Sequence, residues 1–145
     1  MAATLAAMPE PAFYTLQPIG FVRSELTRRE AAPRQGDEGA PEARIVLRAS
    51  LGAALEGIAA GDELIVLTWL HQADRDVLRT HPRNDTTAPL RGVFATRSPD
   101  RPNPIGLHRV TILDVAEHEL RVAPLEAIDG TPVIDLKPVL GSAEG

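Results

Sequence analysis

The sequence predicts an all-β fold of six or seven short strands, with one short helix and long loops. Three observations lead there. Apolar and β-branched residues recur in short runs, several of them with period two. Glycine, proline and Asp-Gly punctuation separates the runs. Only one stretch carries helical spacing. No internal repeat and no heptad pattern is present. Periodicity alone leaves open whether such strands close into a barrel or stack as a sandwich.

The elements follow in order. Residues 16–23, LQPIGFVR, read as a first strand, with Pro18 marking an edge or an opening. Residues 26–42 are polar, rich in Pro, Gly and charge, and form a long loop that needs a job to justify its length. Residues 43–47, ARIVL, make a short strand. Leu51, Ala54, Leu55 and Ile58 have helical spacing, and Gly61 ends the run, so a short helix covers one end of the sheet. Residues 63–70, ELIVLTWL, form the strongest strand, and its unbroken apolar run predicts burial on both faces, with Trp69 as a core filler. Residues 73–90 are an ordered excursion with little regular structure, and residues 91–96 lead back as a strand. Residues 109–117 and 119–124 alternate and pair as a hairpin. A turn at Asp129-Gly130 precedes a last strand over 133–136. Residues 1–12 and 141–145 read as disordered tails around one domain spanning 13–140.

Composition excludes several classes. With no cysteine there is neither a disulfide nor a thiolate metal site. His71, His81, His108 and His118 lack the spacing that puts two imidazoles on one metal, so no metal site is expected. No apolar run approaches a membrane span, and the N-terminal stretch lacks a basic leader, which makes the cytoplasm the default compartment. The net charge of −5 argues against a generic nucleic-acid binder. The charge is unevenly spread, however. Residues 75–109 hold seven arginines and three aspartates, a net +4 against −9 for the rest. That concentration suits one phosphate-facing surface, and equally a solvated loop in a chain with a single lysine.

The chemistry concentrates in residues 92–107, GVFATRSPDRPNPIGL. Pro99, Pro102 and Pro104 stiffen the segment, and Arg97, Ser98, Arg101 and Asn103 give it polar groups. A rigid, arginine-bearing loop suits a ligand site; it also suits a plain surface turn. The glycine-rich GxGxxG fingerprint of dinucleotide-binding folds is missing.

Arg97-Ser98-Pro99 with Arg101-Pro102-Asn103-Pro104-Ile105-Gly106 resembles the signature of the TrmO/TsaA-like (YaeB-like) family. Its members are S-adenosylmethionine-dependent tRNA methyltransferases on a small β-barrel. Further matching segments are Ile19-Gly20, Arg23-Ser24, Pro33-Arg34-Gln35, His71-Gln72, Asp129-Gly130-Thr131-Pro132 and Asp135-Leu136-Lys137-Pro138, covering most of residues 16–138. The resemblance implies a mostly antiparallel barrel. It also implies an S-adenosylmethionine site built from Pro33, Arg34, Gln35, His71, Gln72, Arg97, Leu107, Ile128, Asp129, Gly130 and Thr131. Arg97 suits the donor's carboxylate, and Asp129 its cationic groups. The expectation is that the Arg97 loop and the Asp129 corner converge at one mouth of the barrel.

The implied acceptor is N6 of threonylcarbamoyl-adenosine beside the anticodon of tRNA. Its lone pair is withdrawn by the carbamoyl group, so a base helps. Asp135 is the candidate base (Asp129 a second), with Lys137 or Asn103 orienting the carbonyl; Asp135 also suits a buried ion pair with Lys137. The family's usual tyrosine after Lys-Pro is Val139 here, and the expectation is a short form without the extra C-terminal domain of longer members. A binding module for S-adenosylmethionine or RNA, or a small-molecule methyltransferase, therefore stays open beside the tRNA enzyme. Family resemblance also implies a homodimer.

Overall fold

The computed structural model describes residues 12–27 and 41–140. Eight strands occur there: β1 (Gly20–Arg23), β2 (Ala43–Leu47), β3 (Glu63–Trp69), β4 (Arg79–Thr80), β5 (Arg91–Gly92), β6 (Ile105–Val115), β7 (Glu119–Ala123) and β8 (Pro132–Pro138). Six of them close an antiparallel barrel in the order β1-β2-β7-β6-β3-β8, while β4 and β5 form a separate two-stranded ladder.

Alternation explains the barrel. Val22, Ile45, Leu64, Val66, Val110, Ile112, Leu120, Val122 and Val133 point inward and are buried. Each such side chain is worth roughly 1.5–3 kcal/mol on burial. β3 corrects the expectation of two buried faces. Leu64, Val66 and Thr68 are buried, whereas Ile65, Leu67 and Trp69 face outward and are only half-buried. Trp69 is thus on the wall and not in the core. The guanidinium of Arg75 lies 5.1 Å from its ring centroid, a cation–π contact.

Strand limits differ from expectation at four places. β1 starts at Gly20, and residues 16–18 lie outside the ladder. β6 starts at Ile105 instead of Arg109, since Trp69 and Ile105 already pair in register. β8 runs from Pro132 to Pro138, longer than the four residues expected. Residues 91–96 are a strand only over β5; the chain then curls into a 3-10 turn, Val93–Ala95, closed by the Thr96 amide on the Val93 carbonyl at 3.0 Å.

The expected helix is also a 3-10 segment, Ala49–Leu55. Gly52 weakens α-helix there, and the Leu51 amide bonds the Arg48 carbonyl three residues back at 2.8 Å. The segment lies across one rim: Leu55 joins the core, and a Cβ on Gly52 would stand 2.9 Å from the Glu117 carbonyl oxygen. The other rim gathers the ends of β1, β3 and β7 and the starts of β2, β6 and β8, as the antiparallel registers require. From it spring the connection after β1, the excursion 70–104 and the corner 124–131. Among the described residues no helix is long and apolar enough to cross a membrane.

Candidate functional site

The loop-bearing rim is where the chemistry of the sequence collects. Arg101 builds the motif loop from inside. Its guanidinium donates to the carbonyls of Thr96 (3.0 Å), Ser98 (2.9 Å) and Val93 (2.9 Å). Thr96 adds its hydroxyl to the Val93 carbonyl at 2.9 Å and accepts from the Ser98 amide at 3.1 Å. The residues after β3 clamp the loop from outside. Arg75 donates to the Pro102 carbonyl at 2.6 Å and to Asn103 Oδ1 at 2.9 Å. The Asp74 amide donates to Asp100 Oδ1 at 2.9 Å, and the Arg101 amide to the Asp74 carbonyl at 3.1 Å. Nine hydrogen bonds donated by five residues of two segments therefore supplement the prolines in fixing this loop. Arg97, at its head, is exposed and makes no hydrogen bond or ion pair among the described residues.

The Asp129 corner is equally well built. Asp129 Oδ1 accepts from the Ser24 amide at 3.0 Å, and the Gly130 amide donates to the Val22 carbonyl at 2.7 Å. Gly130 has φ 84°, the left-handed conformation that a tight turn asks of glycine. Thr131, fully buried, donates its hydroxyl to the Ile128 carbonyl at 2.7 Å. Most backbone groups of Ile128 to Thr131 are thus spent on the fold. The second carboxylate oxygen of the half-buried Asp129 has no hydrogen-bond partner among the described residues.

The registers bring both ends of the excursion, with His71, Gln72 and Asn103, and the end of the Asp129 corner to this one rim, because Thr68 pairs with Gly106 on one side and Val133 on the other; Arg97 lies within that excursion. The two cavities found nearby lie on the β1–β2 side. One of about 320 Å³ is lined by Arg23, Ser24, Glu42 and Arg121 among others. One of about 260 Å³ is lined by Phe21, Val22, Arg23, Val46 and Gly130. Neither is lined by Arg97. The loop and the corner share a rim, yet neither of these cavities joins them.

The remaining candidates spread along the wall. Leu107 pairs with Leu67, which pairs in turn with Asp135. The part of β6 before Thr111 runs beyond β7, so among the described residues one edge there lacks a strand partner on that side. Asp135 and Lys137 form an ion pair at 3.3 Å, and both are exposed, with 48% and 63% of the side chain open to solvent. The buried version of that pair is therefore corrected: it sits on the outer face, where water screens it. Asn103 gives its side-chain oxygen to Arg75. His71 and Gln72 are exposed in the turn after β3. Pro33, Arg34 and Gln35 lie outside the described residues.

Sequence reasoning missed a buried polar relay. Inside this rim Thr68 Oγ1 is 2.7 Å from His108 Nε2, and His108 Nδ1 meets Glu126 Oε1. Thr68 and His108 are buried, and Glu126 nearly so. The order carboxylate–imidazole–hydroxyl is that of a nucleophilic triad, but Thr68 is closed to any substrate, so the relay holds structure. It ties the segment before Asp129 to β6 and β3. Gly106 makes room for it: a Cβ there would stand 2.4 Å from Thr68 Oγ1 and 2.7 Å from His108 Nε2. The available signal was Gly106 and His108 two apart on a strand face otherwise filled by Val110 and Ile112.

Fold and loops together define a small antiparallel barrel with its long, hydrogen-bonded connections gathered at one rim. The sequence matches the family described as the tRNA-methyltransferase O N-terminal domain over residues 21–144, and the chain belongs to that family. It is 45% identical to a probable S-adenosyl-L-methionine-binding protein of Methanothermobacter thermautotrophicus, over 85% of this chain and 88% of that one. It is 35% identical to the tRNA (adenine(37)-N6)-methyltransferase of Escherichia coli, over 90% of this chain and 60% of that one. The crystal structure of TrmO from Pseudomonas aeruginosa superposes with a TM-score of 0.74 at 30% identity, over 94% of this chain and 60% of that one. The chain thus spans about three fifths of the length of these last two proteins.

Proposed function

We propose that this protein is an S-adenosylmethionine-dependent tRNA methyltransferase that methylates N6 of threonylcarbamoyl-adenosine next to the anticodon. The observation that carries this reading is the family match, on a barrel whose excursion 70–104 and Asp129 corner both spring from one rim. The residues present fit the donor in kind. Arg97, exposed and with no hydrogen bond or ion pair among the described residues, would take its carboxylate in a bidentate pair. The free oxygen of Asp129 would face its amino group or sulfonium. The unpartnered β6 edge near Leu107 would offer backbone groups to the adenine, with Ile128, Gly130 and Thr131 framing it from the corner. His71, Gln72 and the Pro33-Arg34-Gln35 run would complete the wall.

When bound, the donor supplies a methyl group already activated on a sulfonium, so the protein's task is alignment. Asp135 would receive the N6 proton. Lys137, 3.3 Å from it, would hold the carbamoyl oxygen, and Asn103 would steady the acceptor from the motif loop. A homodimer suits this arrangement: Ile105 and Leu107 are exposed apolar side chains on the β6 wall, and a second copy would cover them. A tRNA acceptor places the protein in the cytoplasm.

Two relatives are described as S-adenosyl-L-methionine-binding proteins, one of them as a probable one, which favours a second reading, a non-catalytic module that holds S-adenosylmethionine. One experiment separates them. Labelled donor is incubated with protein and with bulk tRNA that carries or lacks the threonylcarbamoyl group. Label that appears only in the modified tRNA supports the enzyme; donor binding without transfer supports the module. Arg97→Ala should weaken donor binding at least tenfold by calorimetry, and unchanged affinity would remove it from the site.

A further inference from the structure

We propose that Arg23 and Phe21, on the outer face of β1, form the acceptor's subsite: Arg23 takes the carboxylate of the threonyl group, and the Phe21 ring lies against the adenosine that carries it. The proposal rests on the tRNA reading and separates the grip on the acceptor from the donor groups Arg97 and Asp129.

β1 alternates, with Gly20 and Val22 buried and Phe21 and Arg23 exposed on the outer wall. The registers set three outward arginines side by side there: Arg23 faces Arg44, and Arg44 faces Arg121. Like charges directly opposite one another across strands repel. Two of the three are compensated. Arg44 pairs with Glu119 at 3.6 Å, and Arg121 with Glu42 at 3.2 Å. Arg23 has no hydrogen bond or ion pair among the described residues. The end of this row is therefore a place where an anion is favoured.

Arg23 also lines both cavities of the β1–β2 side. Glu25 and Glu42 line the one of about 320 Å³, which disfavours the closely spaced charges of a nucleic-acid backbone. The one of about 260 Å³ has no carboxylate in its lining; there Arg23 meets Phe21, Val46 and Gly130. Phe21 has Val46 on one side and Pro132 on the other as direct cross-strand neighbours, so its ring stands on an apolar strip. A ring beside a single uncompensated guanidinium suits a ligand that is flat at one end and carries one carboxylate. Threonylcarbamoyl-adenosine has both, because its threonyl group ends in a free carboxylate. The place also suits the reaction. The Ser24 amide next to Arg23 is bonded to Asp129, and Pro132 beside Phe21 begins the strand that carries Asp135.

The test uses the full chain and two anticodon stem-loop RNAs. One carries the threonylcarbamoyl group, and the other carries the same group with its carboxylate replaced by a carboxamide. Wild type should bind the carboxylate RNA about tenfold more tightly than the carboxamide RNA. Arg23→Gln should weaken the first about tenfold and leave the second within about twofold. Phe21→Ala should weaken both alike, by about fivefold or more. Donor affinity by calorimetry should not move in either variant. The melting temperature of Arg23→Gln should not fall, because the change relieves Arg44; a fall would make Arg23 a structural residue and overturn the proposal. Equal losses for both RNAs in Arg23→Gln would also overturn it, since the anion would then be a phosphate. So would a loss of donor affinity, which would give Arg23 to the donor's carboxylate. Methyl transfer to the carboxylate RNA with the same KM in Arg23→Gln as in wild type would remove the subsite and leave the enzyme reading standing. A carboxylate preference that vanishes in Arg23→Gln, without methyl transfer in wild type, would keep the subsite and remove the enzyme reading.

Discussion

The barrel wall and the excursion 70–104 are held together by different physics. In the barrel, side chains on alternate positions fill one apolar interior, and the ladders follow. Its outer charges pair across strands, as Arg109 does with Glu63 and Arg44 with Glu119, in water where such pairs add little. The excursion has one fully buried apolar residue, Val93, which is not part of the main core cluster. It keeps its shape through point hydrogen bonds: Arg101 and Arg75 on carbonyls, His81 Nδ1 with the Ala88 carbonyl at 2.8 Å, and the Asp74–Asp100 link. A structure made by burial tolerates apolar exchange of similar volume. A structure made by a few donors fails at those donors and tolerates change between them.

The first test of that contrast strikes the wall where it has no slack. A Cβ on Gly20 would stand 2.2 Å from the backbone oxygen of Val46, and backbone cannot rotate away. Gly20→Ala should therefore cost about 3 kcal/mol in denaturant unfolding, at the top of the range for overpacking, by parting β1 from β2. Next comes the polar relay of the interior. His108→Ala leaves Glu126 and Thr68 without their partner and should cost about 2–3 kcal/mol. The double variant with Glu126→Ala should cost about 1 kcal/mol less than the sum of the single changes, because the two act as one unit. Additive costs would mean that the relay is not coupled.

The same division governs what could be read from sequence. Burial has a period, so the barrel strands were legible from Ala43–Leu47, from 63–70 and from the 109–124 hairpin, with ends misplaced by a few residues. Trp69 was misread because the run around it is apolar at every position, and periodicity cannot say which face is outside. The 3-10 segment at Ala49–Leu55 shares its apolar spacing with a short α-helix, and the pattern does not separate them. Point hydrogen bonds have no period. The motif showed that residues 96–104 are stiff, but nothing in it said that Arg101 turns inward to the carbonyls while Arg97 stays outside. The Thr68–His108–Glu126 relay joins residues far apart in the chain, and only the register brings them together. Membership of the family was legible from the motifs, because they cover most of the chain.

Arg101→Ala probes the excursion's side of the contrast. It removes three bonds at once, so residues 93–101 should exchange amide protons and be cut by protease at least tenfold faster. The barrel should feel less than about 1 kcal/mol, since Arg101 bonds no residue of the main core cluster. A global loss as large as that of His108→Ala would show that loop and barrel unfold together, and the division would fail.

The smallest effects sharpen the contrast through pH. Glu63 on the wall and Asp85 in the excursion both have carboxyl pKa values held below the usual range, for different reasons. Glu63 receives two hydrogen bonds from the Arg109 guanidinium, at 3.0 and 3.1 Å, and feels its charge. Asp85 is held by the hydroxyl and then the amide of Thr87. A folded pKa below the unfolded one means stability that is present above the unfolded value and lost as pH falls through the folded one. Melting temperature should therefore fall less steeply below about pH 4.5 in Glu63→Gln than in wild type, with little difference at neutral pH. Raising salt should erase part of that difference, because a solvent-exposed charge pair is screened. The matching Asp85→Asn comparison, read as local amide exchange at 85–88, should keep its acid dependence in salt, because hydrogen bonds from a neutral threonine are not screened. Equal salt sensitivity at both sites would mean that Asp85 is also governed by charge, with His81 and the surrounding arginines as the source.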